Sequence, residues 1–315
     1  MTRLSDIVNA ARRLPELVKQ PARLLGARRI ARFLAPPTVR HVFGDLDDAA
    51  WLRVLVASIR QPIQNGVRLP GFPSEEMQIH SVGSAYEAAL GEAARFYSFV
   101  RQTCMNDGEP IHARTKILDF GVGWGRIIRF FLKDTDPACL YGVDIDEVFL
   151  EAARETGCQA NLQKIEPLGS MSCYPDSTFD LVYAYSVFTH LPEAVQDRWL
   201  SEIQRVLRPG GIFVATVEPP RLLEHRMGLD PNDESLHPRE RRLSAMIATE
   251  PEIRARLIDR GFTHVPTAAT YGDTLMTEDY LHRHWSTFFE VIDFTDDANL
   301  FWQAVVSLRR PAGRH

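Results

Sequence analysis

The sequence is poor in cysteine. Cys104, Cys139, Cys158 and Cys173 are the four in 315 residues, and no two are close enough to form a CxxC pair. That scatter argues against a zinc ribbon or a disulfide framework and suits reduced, packed thiols. No run of about 18 apolar residues occurs, so a membrane span is not expected. The amino terminus also lacks the continuous apolar stretch of a secretory signal, which makes the cytoplasm the expected location. Neither internal repeats nor low-complexity tracts interrupt the chain. Neither sign of charge dominates: Lys and Arg number 36 against 41 Asp and Glu, for a formal net charge of -5 and a pI near 6.1. A balance of that kind gives little support to nucleic-acid methylation or binding.

The charge is unevenly placed. Residues 1–40 hold nine Arg or Lys against only Asp6 and Glu16. Leu4, Ile7, Val8, Ala11, Leu14 and Leu17 recur there at helical spacing, with Arg3, Arg12, Arg13 and Lys19 between them. Pro15 and Pro21 divide this amphipathic basic segment. It can lie weakly on an anionic membrane surface or grip a partner, although a helical cap with a solvated basic face is the plainer reading.

Turn-forming residues separate three stretches. Residues 1–85 read as a helical amino-terminal extension, able to act as a lid, with a helix at Trp51 to Arg60 and a long loop from Gln61 to Ser84. Residues 86–315 form the main domain, beginning with a helix from Ala85 to Arg101. Within it, residues 116–217 alternate short buried strands with amphipathic helices, the pattern of an α/β Rossmann-like sheet covered on both faces. Strands are expected at Lys116 to Phe120, Leu140 to Asp144, Gln159 to Leu162, Phe179 to Tyr185 and Gly211 to Val217. Helices are expected at Arg126 to Lys133, Glu147 to Glu155 and Pro192 to Leu207. Residues 218–260 read as a polar insert over the active face, ending in a helix from Pro251 to Arg260. A helix at Glu278 to Trp285 then precedes two strands within 289–308, Phe289 to Asp293 and Phe301 to Leu308, close enough to pair antiparallel.

The chemistry concentrates where the first strand meets its helix. Asp119, Phe120, Gly121, Val122, Gly123, Trp124, Gly125 and Arg126 put glycines, backbone amides and a helix start at the strand's carboxyl edge, a natural seat for a nucleotide-type ligand. A dinucleotide fingerprint would need Gly or Ala at position 126, which is arginine, so NAD fits poorly. Asp119 can hold an ammonium group instead. Asp144 ends the next strand, 19 residues after Gly125, where a carboxylate can accept hydrogen bonds from both hydroxyls of a ribose. Asp146 is the better helix cap.

The segments ILDFGVGWGR, LYGVDID and FDLVYAYSVFTHLPEAVQDRWLSEIQRVLRPGG resemble the successive signatures of class I S-adenosylmethionine-dependent methyltransferases. The resemblance covers about Lys116 to Val217. It implies a seven-stranded, mostly parallel sheet whose last strand is antiparallel. It also implies S-adenosylmethionine as cofactor: Asp119, Gly121 and Gly123 lining the methionine end, Asp144 on the ribose, Ile145 against the adenosine, and Ala184 or Tyr185 touching the methionine portion. The adenine contact within Gln163 to Ser177 stays open. A looser likeness, carried by Gly83 to Val100 and by YGDTLMTEDYLHRHW at Tyr271 to Trp285, is to bacterial methyltransferases of saccharide pathways. It implies a saccharide or other small-molecule acceptor.

Methyl transfer from a sulfonium is an in-line displacement that needs alignment and exclusion of water more than a nucleophile. An alcohol acceptor would gain from a general base, for which His190, Glu218 and Asp273 are the candidates. Tyr271 and Asp273 can shape an acceptor pocket. His282 and His284, two apart on a helix, point to different sides and make a poor metal pair, so no metal is expected. Two other readings compete. An NAD-dependent dehydrogenase or epimerase would share the glycine loop and acidic second strand, but the chain has no Tyr-x-x-x-Lys pair. A noncatalytic protein could keep the fold as a cofactor-binding interaction module, against which the intact Asp119, Gly121, Gly123 and Asp144 weigh.

Overall fold

The structure, a computed structural model, describes residues 37–312. The basic helical pattern from Leu4 to Lys19 therefore lies outside the described residues. The described chain enters through α1 (Val39–Phe43) and α2 (Asp48–Ser58). Asp47 starts the second helix, its carboxylate accepting a hydrogen bond from the Ala50 N–H. Trp51 and Leu55 on its inner side are wholly buried, and the Trp51 indole donates to the Phe130 carbonyl at 2.9 Å.

The stretch from 61 to 84 has more structure than a loop. It holds a small hairpin, β1 (Ile63–Gln64) and β2 (Val67–Arg68), turned by Asn65 and Gly66 at φ 47° and 79°. An Asn-Gly pair with both residues left-handed is the turn whose twist matches that of two paired strands. Helix α3 (Glu75–Val82) follows, capped by Ser74, and α4 (Tyr86–Asn106) runs a turn beyond Arg101. Helix α2 is tied to α4 where the Ser98 hydroxyl donates to Asp48 at 2.7 Å.

The central sheet is built from β3 (Ile117–Phe120), β4 (Leu140–Asp144), β5 (Asn161–Lys164), β6 (Phe179–Ala184), β7 (Leu207–Val217), β10 (Glu290–Thr295) and β11 (Ala304–Arg309), in the order β10-β11-β7-β6-β3-β4-β5. The β3, β4, β5, β6 and β7 pairings are parallel, and β11 is antiparallel to both of its neighbours. This is the expected α/β Rossmann-like sheet, mostly parallel with an antiparallel last strand. Strand alternation divides the core between its faces. Leu181, Tyr183, Ile212 and Val214 pack on the side of α4, while Val182, Ala184, Phe213 and Ala215 pack on the side of α6 (Glu193–Val206). Val195, Trp199, Ile203 and Val206 form the buried stripe of α6. Helix α5 (Glu147–Glu155) follows β4.

Four expectations need correction. The helix at Arg126 to Lys133 is a 3₁₀ segment over Ile128–Lys133. All six of its residues are buried, so it has no solvent face, and the Phe130 N–H bonds back three residues to Ile127. The weak strand at Gln159 to Leu162 sits two residues later, where Asn161 to Lys164 pairs with Tyr141 to Asp144. The strand expected from Gly211 to Val217 starts at Leu207, because Leu207 already pairs with Phe179 across an irregularity. The polar insert contains α7 (Pro220–Met227) and α8 (Pro238–Thr249) before α9 (Pro251–Arg260), each with proline in its first turn. A hairpin of β8 (Phe262–Ala268) and β9 (Tyr271–Met276) completes it, with a core of its own around Leu222, Leu243, Ile253 and Leu275. Helix α10 (Glu278–His284) then leads to β10. On α10, His282 meets Glu278 and His284 meets Asp197, so the two histidines do face different partners.

Candidate active site

The glycine loop is fastened to β4 by three of its amides. The Gly121 and Val122 N–H groups both donate to the Val143 carbonyl, at 2.8 and 3.0 Å, and the Gly123 N–H donates to Asp144 Oδ2 at 2.8 Å. Three of the loop's amides are thereby already engaged. Gly121, at φ 88°, sits where a Cβ would come within 2.4 Å of Val187 Cγ2, so the turn admits no side chain. A loop whose amides are spent in this way has little to offer a pyrophosphate.

Beside the loop lies a cavity of about 690 Å³. Among the expected cofactor residues, Asp119, Phe120, Gly121, Gly123, Arg126, Asp144, Ile145 and Tyr185 line it. Gly125 and Ala184 do not: Gly125 turns toward Cys158, and Ala184 is wholly buried in the core. Asp119 is buried and accepts a hydrogen bond from the Tyr183 hydroxyl at 2.7 Å. Burial pushes its carboxyl up to about 7, with the Tyr183 bond and the Arg126 charge opposing. Arg126 donates from Nη1 to Glu92 at 2.9 Å, and its guanidinium lies 5.1 Å from the Tyr185 ring centre. Tyr185 donates its hydroxyl to the same Glu92. A carboxylate and a guanidinium at one end of a cavity can hold an amino-acid zwitterion.

Asp144 accepts from the Gly123 and Asp146 N–H groups, one on each oxygen. Burial raises its pKa, and those two backbone donors oppose the rise. Asp146 caps α5 through the Val148 N–H at 2.8 Å, which leaves Asp144 to face the cavity. Ile145, 46% exposed, offers an apolar surface next in the chain. Phe149, Ile165 and Pro167 also line the cavity. No hydrophobic period picks out Ile165 and Pro167, because residues 163–177 are irregular.

Of the three candidate bases, only His190 lines the cavity. Glu218 is wholly buried, taking both Arg226 nitrogens at 2.6 and 3.0 Å and Arg239 at 2.9 Å. Asp273 accepts from Arg239 at 2.6 Å and Arg242 at 2.7 Å. Both carboxylates are taken up by guanidinium groups away from the cavity, and these pairs tie the insert together. His190 Nδ1 lies 2.9 Å from the Gly272 carbonyl, and its ring stacks on Tyr271 with centres 4.6 Å apart. A carbonyl only accepts, so Nδ1 carries the proton and Nε2 keeps its lone pair in the neutral ring. Burial, then the Arg239 charge, depress the His190 pKa. Arg239, Tyr271, Trp302 and Gln303 line the same cavity, and apart from Tyr271 none had a sequence signal.

Asp119 sets a pH dependence. Its folded-state pKa stands above the ordinary carboxylate value, so ionising it opposes folding as pH rises toward about 7. A cationic ligand at Asp119 needs the ionised form. Affinity for S-adenosylhomocysteine should therefore rise with pH up to about 7 and level off above. In Asp119→Asn the rise should vanish; titration calorimetry between pH 5.5 and 8.5, on the order of three units around that value, reads it.

Residues 117–211 match the family model described as "Methyltransferase domain". A probable methyltransferase of Aspergillus luteorubrus is 34% identical over 108 residues, covering 31% of this chain and 38% of that protein. The 27-O-demethylrifamycin SV methyltransferase of Amycolatopsis mediterranei is 33% identical over 109 residues, covering 32% of this chain and 38% of its own length. The chain thus spans well under half the length of these relatives. A solved S-adenosylmethionine-dependent methyltransferase from Mesorhizobium loti is 17% identical, with a TM-score of 0.43 over 64% of this chain and 93% of that one. The chain carries a class I S-adenosylmethionine-dependent methyltransferase domain, a family whose cosubstrate is S-adenosylmethionine. The likeness to saccharide-pathway enzymes finds no support among these relatives. Among the described residues, no helix is long and apolar enough to cross a membrane.

Proposed function

We propose that this protein transfers a methyl group from S-adenosylmethionine to a hydroxyl oxygen of a small molecule, with His190 accepting the hydroxyl proton. The observation that carries the reading is the Gly272 carbonyl on His190 Nδ1, which fixes the tautomer with a bare Nε2 on a ring that lines the cavity. The cofactor fits what is present. Asp119 and Arg126 suit its ammonium and carboxylate, Asp144 its ribose, and Ile145, Phe149, Ile165 and Pro167 its adenine. The loop amides spent on Val143 and Asp144 disfavour the pyrophosphate of NAD.

Bound S-adenosylmethionine would supply an electrophilic methyl carbon on a sulfonium. The chain's own task is to bring the acceptor oxygen into line and keep water out. Tyr271, stacked on His190, holds the imidazole plane, and His237, Arg239 and Glu240 line the same cavity. Two relatives support an oxygen acceptor by their names, the rifamycin enzyme and a fatty-acid O-methyltransferase of Mycolicibacterium smegmatis. Sterol 24-C-methyltransferases of fungi also match, so carbon is the alternative destination.

Incubation with methyl-deuterated cofactor and a set of hydroxylated small molecules, phenols and saccharides among them, tests the reading by mass spectrometry and NMR. The expected product carries the label on oxygen. Label on carbon or nitrogen would replace O-methylation with another transfer.

A further inference from the structure

The acceptor half of the cavity contains a cation whose position is fixed from behind. Arg239 lines the cavity, donating from Nε to Asp273 Oδ1 at 2.6 Å and from Nη2 to Glu218 Oε1 at 2.9 Å. Both carboxylates are buried and neither lines the cavity. Nη1 has no hydrogen-bond partner among the described residues, so the guanidinium is anchored on two nitrogens and keeps the third for a ligand. His190 Nδ1 lies 3.9 Å from the same Asp273 Oδ1 that holds Arg239. A proton acceptor and a fixed cation thus flank one carboxylate oxygen at one cavity wall.

The charges packed behind Arg239 are themselves paired. Arg226 is buried between Glu218 and Glu240, and Arg242 is engaged by Asp273. Of the insert's carboxylates that pair with these arginines, Glu240 alone reaches the cavity, and it is held by Arg226. Two aromatic rings, Tyr271 and Trp302, also line the cavity and are 45% and 49% exposed. Half-exposed rings at a cavity wall suit a flat apolar body.

We propose that Arg239 is a catalytic and specificity-determining residue that stabilises negative charge on the acceptor oxygen, and that the acceptor is a phenol. The inference rests on the O-methyltransferase reading of this cavity and adds the acceptor class. The phenolic proton passes to His190 Nε2 while the oxygen, its developing charge met by Arg239 Nη1, takes the methyl. The new O–C bond forms as the S–C bond breaks, and that electron pair stays on sulfur as the thioether. An opposite charge within about 4–6 Å shifts an ionisation by about one unit or more, so the phenolate-to-phenol ratio should rise by about tenfold or more.

The test uses 4-nitrophenol, whose phenolate has its own visible band, added to full-length protein saturated with S-adenosylhomocysteine. In the wild type, the phenolate band should appear at a pH at least about one unit lower than in free solution. Arg239→Gln should remove most of that displacement without changing S-adenosylhomocysteine affinity, and Arg239→Lys, which keeps the charge, should retain part of it. A wild-type complex that leaves 4-nitrophenol unbound, or binds it with unshifted ionisation, overturns the proposal whatever the variants do. Equal displacement in Arg239→Gln overturns it too. Failure of the wild type to bind S-adenosylhomocysteine would overturn instead the cofactor reading beneath it.

Discussion

Glu218→Ala should cost about 3–5 kcal/mol of unfolding free energy, the usual penalty for stranding one member of a buried ion pair. The side chains of Glu218 and Arg226 are both wholly inaccessible, and the carboxylate takes two hydrogen bonds from Arg226 and one from Arg239. Without it Arg226 keeps only Glu240, which is itself partly exposed. The damage should begin in the insert, whose own small core around Leu222, Leu243 and Ile253 has little to set against an unpaired cation. Glu240→Ala, which removes the outer partner, should cost clearly less. Replacing Glu218 and Arg226 together by apolar residues of similar volume should recover much of the loss, because the penalty lies in the unpaired charge. Urea unfolding of the three variants reads these differences, and a Glu218→Ala cost under about 1 kcal/mol would mean that water reaches Arg226.

His190→Gln should lower kcat by about 10²–10⁴-fold on a hydroxylated acceptor, the range for loss of a positioned general base. Glutamine can still donate to the Gly272 carbonyl, so the turn should stand and cofactor affinity should be unchanged. The pH profile separates chemistry from packing. Because burial and Arg239 depress the His190 pKa, its basic form already prevails at neutral pH, and kcat should fall only on the acid side of the ordinary histidine range. That limb should vanish in the variant. By contrast, kcat/KM for the cofactor should bend near the Asp119 value of about 7 in both proteins. A variant that keeps its kcat would leave His190 as a packing residue beneath Tyr271.

Parts of this molecule were legible in the sequence because one local physical rule decided them. Strand β4 is found where its continuous apolar run lies, residue for residue, and α6 follows its stripe of Val195, Trp199, Ile203 and Val206. Glycine spacing and Asp144 pointed to the loop and strand end that line the cavity. What escaped depends on burial that spacing does not encode. The segment at Ile128–Lys133 reads as an amphipathic helix only if Arg129 and Lys133 face solvent, and both are buried. The β8–β9 hairpin was hidden by Pro266 and by residues such as His264 and Thr274, which pair through their side chains instead of alternating with apolar ones. Arg239 could not be singled out at all. Its position follows from Glu218 and Asp273, carboxylates 21 and 34 residues away in the chain that no local spacing links to it.

The assignment of the cavity beside the glycine loop to S-adenosylmethionine is open to calorimetric titration with S-adenosylhomocysteine, with NAD and the Asp144→Ala protein alongside. Saturable binding of S-adenosylhomocysteine and none of NAD is expected. In a folded Asp144→Ala protein, affinity should fall by about 1–3 kcal/mol, roughly 5- to 150-fold, the cost of leaving ribose hydroxyls without their acceptor. Saturable binding of NAD with none of S-adenosylhomocysteine, or unchanged affinity in the folded variant, would contradict it.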